Sequence, residues 1–175
     1  MQLSGKTIAI LAEDGYQELE LHYPRLRFIE AGAAVRVLGT GSNEYASEKG
    51  YGVEVDDDVA DASPDDFDAV VIPGGMAPDR MRRHRPMVDF VRAMNEQGKP
   101  VAWICHAGWM AASADIVRDR RVTSFHSIRD DMANAGGNWV DEEVVVDGNL
   151  ISSRTPPDLP AFCRAIIEAL TPGGD

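Results

Sequence analysis

The sequence predicts an α/β domain with a mostly parallel sheet and helices on both faces. Three observations carry this. Short, uninterrupted apolar runs recur at Thr7–Leu11, Ala69–Ile72 and Val101–Ile104, the pattern of strands covered on both sides. Amphipathic segments of helical period separate them, so strand and helix alternate along the chain. The length of 175 residues and an apolar fraction of 44% are enough for one full core. With no repeat and no linker in the sequence, residues 1–175 are expected to form a single domain.

The elements follow in order. Thr7–Leu11 lies between Lys6 and Glu13-Asp14-Gly15 and reads as a buried strand. Gln17 to Ala31 reads as a helix with Leu19, Tyr23, Leu26 and Ile29 as its inward face. Pro24 suits only a first turn or a kink, which leaves the start of that helix open, and Gly32 stops it. Ala34–Leu38 is a second strand, and residues 40–50 are a polar loop. Its Gly39-Thr40-Gly41 lacks the third glycine of a dinucleotide-binding turn and follows the wrong strand. Val53–Val55 is a short strand. Asp56-Asp57-Asp58 and Ser63-Pro64-Asp65-Asp66 read as exposed loops around a short helix. The Ala69–Ile72 strand ends at Pro73-Gly74-Gly75. Pro86 to Gln97 is a helix that buries Val88, Val91 and Met94, with proline at an allowed early position and Gly98 as its stop. Val101–Ile104 leads into a helix over Gly108–Ala114. Val144–Val146 and Leu150–Ser152 flank Asp147-Gly148-Asn149, a hairpin signal. The last helix, from Asp158 to Leu170, carries the stripe Leu159, Phe162, Cys163, Ile166, Ile167 and Leu170.

Composition narrows the partners. A net charge of −12 argues against nucleic acid and anionic membranes, which need clustered Lys and Arg. The run Ile8–Ala12 is too short for a membrane span or signal peptide, and Glu13-Asp14 follow it at once. Two cysteines make no disulfide framework, so a reducing, cytoplasmic setting is expected. His22, His84 and His126 share no metal-ligand spacing with them, and neither a metal nor a cofactor is expected.

The chemistry gathers at strand ends. In open α/β sheets ligands bind beyond the carboxyl ends of the strands. Glu18 and Glu20 follow the first strand, Gly74-Gly75 follow Ala69–Ile72, and Cys105-His106 follow Val101–Ile104. Cys105 falls on a strand-to-helix turn of small residues, the logic of a nucleophile elbow. The helix terminus behind it is expected to lower the thiol pKa. Cys163, in an apolar stripe, reads as core. His106 is a candidate base or thiolate partner, although adjacent side chains usually diverge. Its amide, with that of Gly75, can form an oxyanion hole. Glu20 is the carboxylate expected beside the thiol, with a pKa raised by burial, and Glu18 is its local competitor. Gly74, Trp109 and His126 are the expected pocket residues.

These residues resemble the PfpI family, within the wider DJ/PfpI superfamily of glutamine-amidotransferase-like folds. The similarity runs through Glu20-Leu21-His22-Tyr23-Pro24, Phe67-Asp68-Ala69-Val70-Val71-Ile72-Pro73-Gly74-Gly75, Ala77-Pro78-Asp79-Arg80 and Ile104-Cys105-His106. It continues through Asp130–Gly136, Val144–Asn149 and Ser152–Pro156. It implies a flavodoxin-like three-layer sandwich and a Cys105 nucleophile beside Glu20. It also implies that a neighbouring subunit's Asp79 pairs with His106. Asp79 stands where the family usually has Glu, and Ala107-Gly108-Trp109 replaces a common Gly-Pro. The implied activity is thiol attack on a small carbonyl compound or a peptide, as a glyoxalase, deglycase or peptidase. The alternative is an oxidative-stress sensor or chaperone acting through Cys105 oxidation. The implied assembly is a homo-oligomer, at least a dimer, with a hexamer of such dimers as the larger option.

Overall fold

Strands that are apolar on both faces need a layer of helix on each side. The computed structural model, which describes residues 1–171, has that arrangement. In chain order the elements are β1 (Thr7–Leu11), α1 (Glu18–Ala31), β2 (Ala34–Gly39), β3 (Glu44–Ala46), β4 (Gly52–Glu54), β5 (Asp57–Asp58) and β6 (Ala69–Ile72). There follow α2 (Ala77–Met81), α3 (Arg85–Glu96), β7 (Val101–Ile104), α4 (Gly108–Ser113), β8 (Arg121–Val122) and α5 (Arg129–Asn134). The chain closes with β9 (Asn138–Trp139), β10 (Val144–Asp147), β11 (Leu150–Ser153) and α6 (Leu159–Leu170).

The seven-stranded sheet has the order β10-β11-β7-β6-β1-β2-β5. All pairings are parallel except the hairpin β10–β11. From β1 the chain steps to β2 on one side, and from β6 to β7 on the other. Right-handed crossovers therefore put α1 and α3 on opposite faces. α6 joins α1, and α4 joins α3. This reversal of direction, between β1 and β6, is the switch point at which the carboxyl ends of β1, β6 and β7 lie side by side. Every residue of β6 and β7 is buried, and Ile8 to Leu11 of β1 have no exposure.

Three expectations about local structure are corrected. The inward face of α1 is Glu20, Leu21, Pro24, Phe28 and Ala31, whereas Leu19 and Leu26 are 55% and 61% exposed, with Tyr23 and Ile29 also at the surface. The helix carries two apolar stripes, and periodicity cannot tell which one meets the sheet. The loop at 40–50 contains β3, which pairs with β4 because Tyr45 and Val53 can be buried together. Asp57 and Asp58 are not a free loop but the short edge strand β5 beside β2, where Arg36 pairs with Asp57. Among the described residues no helix is long and apolar enough to cross a membrane.

Asp68 fastens the start of β6 to that of β1. Its carboxylate accepts from the Thr7 N–H at 2.8 Å and from Lys6 Nζ at 3.0 Å. Burial alone would raise this carboxyl, but the Thr7 N–H and Lys6 outweigh it and hold it below the usual range. Its stabilisation is then complete above the unfolded-state value of about 3.9 and lost as pH falls through the folded one. Asp68→Asn should lower the melting temperature at neutral pH and flatten its fall below about pH 4, as measured by thermal melts between pH 2 and 7.

Candidate active site

Cys105 occupies the turn between β7 and α4 with φ 62°, a left-handed conformation that costs a non-glycine residue about 1–2 kcal/mol. The turn sets its side chain against Gly74, just past β6, and the residue is 8% exposed. The backbone N–H groups of Gly75 and His106 both face the sulfur. Gly75 has φ 75°, and a Cβ there would fall 2.5 Å from the Gly15 carbonyl oxygen. Only glycine lets this turn close against the Gly15–Gln17 segment.

Glu20 lies on the inward first turn of α1, with no exposed surface. Gln17 holds that turn, its side chain accepting from the Glu20 N–H at 3.0 Å. One Glu20 oxygen, Oε2, accepts from the Gly74 N–H at 2.7 Å. The other, Oε1, is buried with no hydrogen-bond partner of normal geometry. Gly74 is the spacer between acid and thiol: a Cβ there would lie 2.5 Å from Oε2 and 2.7 Å from the Cys105 Cβ. Glu18, the competitor, turns away to Ser47 Oγ at 2.9 Å and the Lys49 N–H at 3.1 Å.

The electrostatics correct one expectation. Burial pushes the Cys105 thiol up to about 12, and the neighbouring Glu20 charge adds to it. The His106 and Gly75 N–H groups pull the other way without prevailing. The helix terminus therefore does not produce a low-pKa thiol by itself. Burial likewise raises Glu20 to about 7, against the opposing pull of the Gly74 N–H and of Cys105. The two groups titrate as a coupled pair. Below pH about 7, Glu20 increasingly carries a proton and adds no charge beside the sulfur.

His106 does meet its neighbour in sequence, with Nδ1 3.3 Å from Cys105 Sγ. Its Nε2 lies 3.2 Å from Ser127 Oγ, a contact that sequence reasoning missed. Burial lowers the imidazole pKa, and a nearby Glu48 charge works against that. Trp109 and Phe125 flank the ring at 5.1 and 5.0 Å, and Trp109 Nε1 donates to Asp131. His126 is exposed, its ring 4.4 Å from that of Phe125 and tilted by 45°. Asp79 does not reach His106 within this chain. It belongs to the short helix α2 and pairs with Arg83. Cys163 is buried in the α6 stripe, with its thiol pushed up to about 12 by burial. His22 contacts Tyr16 and Tyr51, and His84 lies 3.4 Å from Glu13, both apart from the sulfur. Among the described residues no group of three His, Cys, Asp or Glu is arranged to hold a metal ion.

A strained, shielded thiol with two aimed amides and a buried acid can attack a carbonyl carbon and stabilise the resulting oxyanion. Known proteins resemble this chain along nearly its whole length. The model of the DJ-1/PfpI family matches residues 6–169. The Deglycase PfpI of Pyrococcus furiosus is 43% identical over 163 residues, covering 93% of this chain and 98% of its own. A Bacillus subtilis protein, YraA, named provisionally as a cysteine protease, is 37% identical over 166 residues, covering 94% and 98%. The crystal structure of Drosophila melanogaster DJ-1beta superposes with a TM-score of 0.89 at 28% identity, covering 97% of this chain and 91% of that one. A two-domain Anabaena variabilis protein with DJ-1/ThiJ/PfpI-like and ferritin-like domains gives 0.93 at 44% identity. There the match covers 94% of this chain and 48% of the larger one.

Replacing the acid separates charge from burial. Glu20→Gln removes the anion that forms above pH about 7, so the thiol should ionise at lower pH than in the unaltered protein. Iodoacetamide alkylation, followed by mass spectrometry from pH 6 to 10, should show Cys105 labelled faster in Glu20→Gln than in the unaltered protein at each pH above about 7. Cys163 should stay unlabelled in both folded proteins. A rate that stays the same or falls would count against the coupling.

Proposed function

This chain belongs to the DJ-1/PfpI family, and from that membership we propose that it is a cysteine-dependent enzyme attacking carbonyl carbons through Cys105. The observation that carries the reading is the convergence of the Gly75 and His106 N–H groups on the Cys105 sulfur, with buried Glu20 alongside. His106 Nδ1 takes the thiol proton. The thiolate pair forms the S–C bond, and the carbonyl π pair moves onto oxygen. The two amides receive the oxyanion, and protonated Glu20 returns a proton to the adduct. No net charge is created inside the site.

The wall formed by His106, Trp109 and Phe125, and the low exposure of the sulfur, favour a small carbonyl compound over an extended peptide. The relatives named deglycase fit that choice. Consumption of methylglyoxal by the purified protein should fall to background in Cys105→Ala. Glu20→Gln should lose roughly 10²–10⁴-fold in kcat, since the amide cannot return a proton. In the unaltered protein kcat/KM should decline above pH about 7, as Glu20 loses its proton. Equal turnover in Cys105→Ala and unaltered protein would refute the assignment.

The outward stripe of α1 supports a homo-oligomer. Leu19, Tyr23, Leu26 and Ile29 line one face, and Tyr51 extends it. A groove of about 530 Å³ beside them is bordered by Arg25 together with Glu18, Glu54 and Asp56. Among the described residues the Arg25 Nε is buried with no hydrogen-bond partner. A second copy packed antiparallel on this face would cover the leucines and bring an acid to Arg25. Light scattering after size exclusion should give a dimer or a multiple of it. Leu26→Glu should shift the mass to monomer without unfolding, because the side chain is already at the surface.

A further inference from the structure

Both ring nitrogens of His106 are engaged, one by the sulfur and one by Ser127. Ser127 belongs to the turn His126–Ile128 ahead of α5. That turn is moored to the nucleophile. The Phe125 N–H donates to the Cys105 carbonyl at 3.2 Å, and the Phe125 ring lies 5.0 Å from the imidazole at 31°. Ile128, buried, anchors the far end, its N–H donating to the Phe125 carbonyl at 3.2 Å. The hydroxyl is thus delivered to Nε2 by fixed backbone, although Ser127 itself is exposed.

We propose that Ser127 is the positioning residue of His106, accepting the Nε2–H and so leaving the Nδ1 lone pair turned to the Cys105 thiol. This rests on the reading of Cys105 as the nucleophile. A neutral imidazole has one N–H, and the partner of one nitrogen decides the role of the other. With Nε2–H bonded to Ser127, Nδ1 can take the S–H proton. The ring then becomes an imidazolium that keeps its bond to Ser127 and faces the thiolate through Nδ1–H. No proton passes through the serine, whose own hydrogen is free to bond to solvent. The arrangement completes an orienting chain within one protomer. It uses the same nitrogen that an acid from a neighbouring subunit would need, so Asp79 of another copy and Ser127 are competitors.

The test reads the ring directly, in the intact protein labelled with 15N-histidine. The other groups facing His106 are Cys105, the rings of Trp109 and Phe125, and the charges of Glu48 and His126. The titration of His126 is followed in the same spectra. The unaltered protein should show Nε2 protonated and Nδ1 bare. Ser127→Ala should mix the two tautomers and lower the His106 midpoint by about 0.4–1 unit, because the Nε2–H bond to Ser127 is stronger in the charged ring than in the neutral one. Alkylation of Cys105 at pH 7 should slow about three- to tenfold, and Ser127→Thr should restore both readings. Unchanged tautomer and midpoint in Ser127→Ala would overturn the proposal. So would the same changes appearing in Asp79→Ala instead. If Cys105 failed to alkylate in the unaltered protein, the nucleophile reading would fall, while the nitrogen shifts would still judge Ser127.

Discussion

A carboxyl group with no exposed surface, pressed against a buried thiol, is the constraint on which the rest of this structure depends. An isolated charge there would be unaffordable, so the acid keeps its proton to near neutrality and accepts one backbone N–H. Several features of the fold exist in the form this contact requires. Gly74 must lack a side chain, because a Cβ would collide with both partners. The first turn of α1 must face the sheet, and the Gln17 cap holds it there. The turn at Cys105 must enter the left-handed region to carry sulfur to the acid.

The parallel sheet supplies the framework. β1, β6 and β7 are neighbours with the same direction, so their carboxyl ends deliver Glu20, Gly74-Gly75 and Cys105-His106 to one place. Each arrives by a short connection, and each is backed by a fully buried strand or helix face. Burying a large apolar side chain is worth about 1.5–3 kcal/mol. The buried residues of β6 and β7 therefore dwarf the local strain at the elbow. The same rigidity keeps two amides aimed at one sulfur without any ligand to organise them.

Much of this was legible in the sequence because the decisive signals are local. An apolar run followed by Gly-Gly, or by Cys-His and small residues, marks both a strand end and what stands on it. The elements missed are those whose meaning is tertiary. α1 has two apolar stripes, and only the packing of Phe28 and Ala31 shows which is inward. The Cys105 thiol was expected to be lowered by a helix terminus, but burial beside an acid is a property of the assembled site. Ser127 is 21 residues from His106, and a lone serine has no spacing that points to an imidazole. Asp57 and Asp58 looked like a free acidic loop, yet they form a charged edge strand, a common guard against unwanted pairing.

The left-handed backbone at Cys105 has a bearing on how this chain can change. Glycine would relax that turn at little steric cost, whereas every side chain bears the strain. Selection for stability and selection for the thiol therefore pull in opposite directions at one position. A lineage freed from the chemistry would drift toward glycine there and gain robustness. One that kept the chemistry must hold a strained residue at its centre.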